Sequence, residues 1–154
     1  MGFEKRKREI IGVRVISFVI GVAMYAQGWR DIATEVAKAN NIHPDIVIAL
    51  ILVESSGNVE AENASGAVCL MGVVPMPGRP GREELLSSPR ACIETGVSIL
   101  RNYMDKTGSL FDAISSYNTG YGYWKKNGRN GHMIKAFVVR LKQQGFYGEL
   151  GSVE

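Results

Sequence analysis

The sequence predicts a mainly α single domain with a minor β element, no more than a hairpin, beside a groove bordered by two long loops. Three observations carry this reading. The chain of 154 residues is the right size for one hydrophobic core, and its 45% apolar content is ordinary for a globular protein. Helix start and stop signals recur along it. Between them lie two segments rich in Gly and Pro, at 55–82 and 120–131.

Each element has its own justification. Residues 29–40, "WRDIATEVAKAN", place Ile32, Ala33, Val36 and Ala37 at helical spacing. In "HPDIVIALILVES", His43 precedes Pro44 as a capping residue, Pro44 suits a first helical position, and Asp45 favours the first turn. A third helix starts at Ser88 as N-cap with Pro89 next and is closed by Gly108. A fourth runs from Ser109 to Gly120. The fifth is capped by Asn130, takes His132 into its first turn, and carries Met133, Phe137 and Leu141 on one face. The 28-residue stretch 55–82 has little helical signal, which marks a functional loop or a small hairpin; its strand-like part is Val68 to Val74.

The N-terminus has a different character. Basic "KRKRE" (Lys5 to Glu9) precedes a charge-free run of 12 residues from Val15 to Ala26. That run is short for a membrane span but fits the core of a signal peptide. Residues 1–26 are therefore expected to be a signal peptide or an N-terminal membrane anchor, a buried N-terminal helix being the third reading, and residues 27–154 the working domain. Cleavage after Ala23 or Ala26 would suit the small residues there. The segment 1–26 holds five Lys/Arg and two Asp/Glu, so it accounts for the whole net charge of +3. The remainder is neutral, which removes the electrostatic case for a nucleic-acid partner. Residues 101–148 are locally basic, with eight Lys/Arg against two Asp/Glu. That face would suit an anionic polymer or simply be solvated.

Two histidines and two cysteines outside any CxxC pattern argue against a metal site. Cys69 and Cys92 are too few for a disulfide framework, and the sequence leaves open whether they meet.

The chemistry centres on "IALILVESS" (48–56), where an apolar run ends in a carboxylate. On its own, Glu54 could be a solvated helix end. Two later pieces point elsewhere: "ASGAVCLMGVVP" (64–75), a glycine-punctuated turn entering an apolar run, and "SSYNTG" (115–120), at the end of another helix. In this order and spacing, the three resemble the soluble (Slt-type) lytic transglycosylases, which share the goose-type lysozyme fold. The family's patterns are an E-S pair after an apolar helix, G-A-x-G-L-M-Q with a following proline, and a helix ending in A-Y-N-A-G. "SSPRACIETGVSILRNYM" looks like the family's intervening helix, and the likeness spans roughly residues 42–124.

The resemblance implies a lysozyme-like domain cutting the β-1,4 bond between N-acetylmuramic acid and N-acetylglucosamine, leaving a 1,6-anhydro ring. By position, Glu54 matches the catalytic acid and Ser55 the serine beside it. Met71 falls in the loop lining the sugar groove, and Tyr117 and Asn118 match the pair facing the carboxylate. Tyr123, among the interleaved residues Tyr121 to Trp124, is a candidate to stack on a sugar. No cofactor and no metal is implied. The expected partner is the peptidoglycan glycan strand, and the expected setting is the periplasm or cell envelope. The protein is expected to be a monomer serving a secretion, conjugation, pilus or phage assembly.

The chemistry also stands apart from the likeness. Most glycosidases use two carboxylates. Attack by the muramyl C6 hydroxyl is intramolecular and needs only one group, acting first as acid and then as base. That group needs a pKa near working pH, and the apolar wall from Ile48 to Val53 would raise it. Glu60 and Glu62, on a polar loop, are the candidates for a second carboxylate in a hydrolytic muramidase, which is one alternative reading. The other is a binding or assembly protein impaired in turnover.

Two positions depart from the family pattern: Cys69 stands where it has glycine, and Gly72 where it has glutamine. Ser116 and Thr119 replace the two alanines. If position 69 needs a positive φ, cysteine there is strained by roughly 1–3 kcal/mol, and a bridge to Cys92 would compensate.

Overall fold

The computed structural model of the chain describes residues 28–146, and the expected leader at 1–26 lies outside the described residues. Among the described residues there are seven helices and two isolated β-bridges. The helices are α1 (Trp29–Ala39), α2 (Pro44–Glu54), α3 (Arg82–Ser87), α4 (Pro89–Thr107), α5 (Leu110–Thr119), α6 (Tyr121–Asn127) and α7 (Gly131–Gln143).

The middle of the fold is α2. Its six residues from Ile46 to Ile51 are all buried, so no side of that stretch is left to solvent. A helix that is apolar all round is stabilised by packing on every face rather than by amphipathic pattern, and this overrides the weak helix propensity of its Ile and Val residues. It packs between α1 and α7, and α1 also lies against α4. The core joins Ile32, Val36, Leu50, Leu100, Ile114 and Phe137 from five of the helices.

The start signals act as anticipated. His43 Nδ1 accepts a hydrogen bond from the Asp45 backbone N–H at 3.2 Å, with Pro44 at the first position. Ser88 Oγ accepts from Ala91 N–H, Ser109 Oγ from Asp112 N–H, and Asn130 Oδ1 from Met133 N–H.

Two helices were not expected. Segment 120–131, read as a loop, contains α6. Its glycines lower helix propensity, but tertiary contacts hold it. Trp124 Nε1 donates to Asp112 Oδ1 at 2.9 Å, and the Tyr121 ring stacks on Tyr103 with centroids 6.4 Å apart. The other is α3, six residues following Gly81, which buries one side chain, Leu85.

Loop 55–82 has the minor β element in its smallest form. Val68 pairs with Glu62 on one side and with Val73 on the other. The Val68–Val73 pair exchanges both backbone bonds at 2.9 Å and closes a tight turn over residues 69–72.

Candidate active site

The site is built from the C-terminal end of α2, the 69–72 turn and the C-terminal half of α5. Glu54 is the last residue of α2. Ser55 ends that helix: its hydroxyl donates to Ile51 O and accepts from Gly57 N–H, both at 3.1 Å. With its hydroxyl engaged in this way, Ser55 fixes where the chain leaves the helix and hence where Glu54 points.

The Glu54 carboxyl is largely withdrawn from water. Burial pushes its pKa from the usual carboxylate value up to about 7, and burial is the sole cause, with no neighbouring charge contributing. Oε1 is buried without a hydrogen-bond partner among the described residues. A charged carboxylate oxygen in that position would be poorly solvated, so the neutral form is favoured.

The turn meets Glu54 through glycine. Gly72 has φ +60, and a Cβ built there would lie 2.7 Å from Glu54 Oε2. The carboxyl therefore occupies the space that a side chain at 72 would take. Residue 69 also has a positive φ, of 65°, and Cys69 is bonded to Cys92 of α4 with their Cα atoms 6.2 Å apart. The expectation of a strained cysteine held by a bridge describes this turn.

Met71 contributes its backbone. Its side chain is fully buried over Gly96 of α4, away from any solvent-facing groove. The Met71 carbonyl accepts a hydrogen bond from Tyr117 Oη at 2.7 Å. Burial, followed by the nearby Glu54 charge, holds the Tyr117 hydroxyl far above its ordinary range, so it stays a donor. Sequence reasoning aimed Tyr117 at the carboxylate; its hydroxyl donates instead to the turn that borders the carboxylate.

Asn118 Oδ1 accepts from Asn130 Nδ2 at 2.8 Å, tying the end of α5 to the cap of α7. Tyr123 is 59% exposed and lines a cleft of about 300 Å3 with Asn127, Arg129 and Asn130. A larger cleft of about 480 Å3 is lined by Arg79, Glu94, Thr95, Ser98 and Asn102. Arg79 reaches the electrostatic surroundings of Tyr117 and donates to Val74 O at 3.1 Å, so this cleft adjoins the turn.

The other candidate carboxylates lie elsewhere in character. Glu62 is exposed and paired with Arg82, whose hydrogen bond holds its carboxyl below the usual range. Glu60 is exposed on the same loop. Among the described residues no group of three His, Cys, Asp or Glu side chains gathers as a metal site.

Gly96 was not singled out from sequence, and no role was read there for Ser116. A Cβ at Gly96 would fall 2.7 Å from Met71 Cβ, so α4 needs glycine there to let the turn approach. Ser116 is fully buried with a hydroxyl that has no hydrogen-bond partner among the described residues. The helical phase of Gly96, four residues after Cys92, was the available signal for the first. The second was marked only by standing where the family pattern has alanine.

Known proteins resemble this chain in sequence and in fold. The family described as Transglycosylase SLT domain matches residues 31–136. The protein named Transglycosylase from Enterobacteria phage PRD1 is 29% identical over 94 residues, covering 61% of this chain and 35% of its own length. Among solved structures, an inactive mutant of the lytic transglycosylase Slt from Pseudomonas aeruginosa superposes with a TM-score of 0.64 at 18% identity, over 80% of this chain and 25% of that one. The 70 kDa soluble lytic transglycosylase of Escherichia coli gives 0.55 at 22% identity, over 75% of this chain and 21% of that one. The chain thus spans about a third or less of the length of these relatives. With most of its described residues inside the matched region, the chain belongs to the Transglycosylase SLT domain family and has its lysozyme-like fold.

Proposed function

We propose that this chain is a peptidoglycan lytic transglycosylase that uses Glu54 alone, as acid and then as base. The observation that carries the reading is the Glu54 carboxyl at the end of an apolar helix, raised to about 7 by burial with no second charge contributing. Such a group holds a proton near neutrality and gives it up readily, which is what protonating a glycosidic oxygen requires. Once deprotonated, the same group is a base of matched strength. It takes the proton from the muramyl C6 hydroxyl as that oxygen attacks C1, closing the 1,6-anhydro ring. The attack is intramolecular, so proximity does what a water-activating carboxylate does in a hydrolase. The exposed, Arg82-paired state of Glu62 supports a one-carboxylate scheme.

Within this reading, Ser55 and Tyr117 position the site, the former through the helix end and the latter through the Met71 carbonyl. Asn118 and Tyr123 are proposed to meet the glycan, Tyr123 by stacking an exposed ring on a sugar face. The polymer is outside the cytoplasm, so the protein is proposed to act in the cell envelope, as an expected export leader at 1–26 would allow. Among the described residues no helix is long and apolar enough to cross a membrane. The named phage relative supports a role in opening the wall for a phage or another envelope-spanning assembly.

The test is digestion of purified peptidoglycan by native protein and by Glu54→Gln, with products read by mass spectrometry. Anhydromuropeptides from the native protein alone are expected. Reducing ends would instead make it a hydrolysing muramidase, and binding without release a wall-binding protein. Full activity in Glu54→Gln would overturn the mechanism.

A further inference from the structure

The turn that borders Glu54 depends on two residues with positive φ, and only one of them is glycine. Gly72 adopts +60 at no steric cost. Cys69, at +65, does not: a side chain with a Cβ is disfavoured in this region, and cysteine has no polar group that favours it. Something must hold residue 69 there. The bridge to Cys92 joins it to α4, the longest helix of the described fold, and both sulfurs are buried.

The same joint reaches the catalytic side of the turn. Met71 N–H donates to Cys92 Sγ at 3.3 Å, and Gly72 N–H donates to Cys69 O at 3.2 Å. One turn of α4 beyond Cys92, Gly96 receives the Met71 side chain. The opposite edge of Met71 offers its carbonyl to Tyr117. Gly72 itself has no side chain with which to anchor, yet it must stay against Glu54 Oε2 for the carboxyl to remain enclosed. Position 69 is therefore where the geometry around Glu54 is secured.

We propose that the Cys69–Cys92 disulfide is a positioning clasp for the catalytic turn: it holds a non-glycine residue in a left-handed conformation so that Gly72 stays against Glu54 and the Met71 carbonyl against Tyr117. The clasp rests on the transglycosylase reading for its catalytic consequence and on the backbone alone for its structural one. It also connects the turn's two departures from the family pattern. The turn takes a cysteine where glycine would adopt the conformation unaided, and it has no side chain at 72 to help fix it.

The idea separates from a plain stabilising cross-link in a pair of variants. Both Cys69→Gly/Cys92→Ser and Cys69→Ala/Cys92→Ser lack the bridge and the thiols, and they differ in whether residue 69 adopts a positive φ freely. Turnover of peptidoglycan and amide hydrogen exchange over residues 68–73 are measured on both and on the native protein. The alanine variant should lose about tenfold in kcat, with a smaller change in KM, as a catalytic group misplaced by a fraction of an ångström would. Its exchange at Met71 and Gly72 should rise. The glycine variant should recover both, to within about threefold of native turnover. Equal behaviour of the two variants would overturn the proposal, and so would failure of both to fold, which would make the bridge a support of the whole domain. Should native protein release no anhydromuropeptides, the proposed function falls, and the exchange comparison still decides the clasp.

Discussion

The Glu54 carboxyl fills the space of an absent side chain: a Cβ on Gly72 would stand 2.7 Å from Oε2 and 3.4 Å from the carboxyl carbon. The family pattern places glutamine at this position, so its loss first reads as a missing partner. The geometry gives the glycine a use of its own, because the turn can close over the carboxyl only without a side chain there. Gly72→Ala should therefore push the flexible Glu54 side chain aside at small cost in packing. The positive φ adds a backbone penalty of about 1 kcal/mol. Turnover should fall by about tenfold or more, and Gly72→Gln should fare no better. Native activity in Gly72→Gln would show that the turn can open for a side chain and that the glycine is incidental.

Glu54→Gln should stabilise the protein at alkaline pH while abolishing turnover. The folded-state pKa is raised, from 4.5 to about 7. The protonated form is thus the one the fold accommodates: stability from this group is fully present below pH 4.5 and is lost as pH rises through about 7. The shift corresponds to at most about 3 kcal/mol at high pH, and glutamine does not titrate. Denaturation in urea should find the variant more stable than native at pH 8.5 and nearly equal at pH 4.5. Turnover of the native protein should decline above pH 7 as the acid form is depleted. A native-to-variant difference that does not change with pH would mean the carboxyl is well hydrated.

Tyr117→Phe tests the link between α5 and the turn. The ring is retained, so packing changes little, but the Met71 carbonyl loses the hydroxyl that reaches it at 2.7 Å. Leaving a buried carbonyl without that donor costs about 1–3 kcal/mol. If Tyr117 acts by holding the turn, kcat should fall while the pH at which activity declines moves down, because a looser turn lets water reach Glu54. Loss of affinity for glycan with an unchanged pH profile would assign the hydroxyl to substrate instead. Activity of the variant across pH, with KM and kcat separated, distinguishes the two.

Much of this arrangement was legible in the sequence because its signals are local. Pro44 after His43, Ser88 before Pro89, and the Asn130 cap set helix starts through bonds spanning only a few residues. Glu54 was legible through its apolar neighbours on a single helix. What escaped was set by partners distant in the chain. Helix α6 depends on Asp112 and Tyr103, and the Tyr117 hydroxyl goes to a carbonyl 46 residues away. Met71 illustrates the limit most clearly: the motif marked the residue, but only the fold shows that its backbone faces the site while its side chain packs into α4.

Gly96→Ala probes the turn from beneath. The added methyl would fall 2.5 Å from Met71 Sδ and 2.7 Å from Met71 Cβ. The sulfur belongs to a flexible chain and can move, but the Cβ is fixed to the turn's backbone, so helix and turn must separate by a few tenths of an ångström. Alanine is otherwise the better helix former by about 1 kcal/mol. Overpacking a tight core contact costs about 1–3 kcal/mol, so the net loss of stability should be about 0–2 kcal/mol. The functional effect should be larger than that figure suggests, because the separation lifts Met71 and Gly72 together, away from α4 and toward Tyr117 and Glu54. Thermal unfolding and turnover measured on the same preparation check this: a modest fall in melting temperature with about a tenfold fall in kcat is expected. Unchanged kcat would show that Met71 absorbs the methyl through its side chain and that the turn is held independently of α4 at this point.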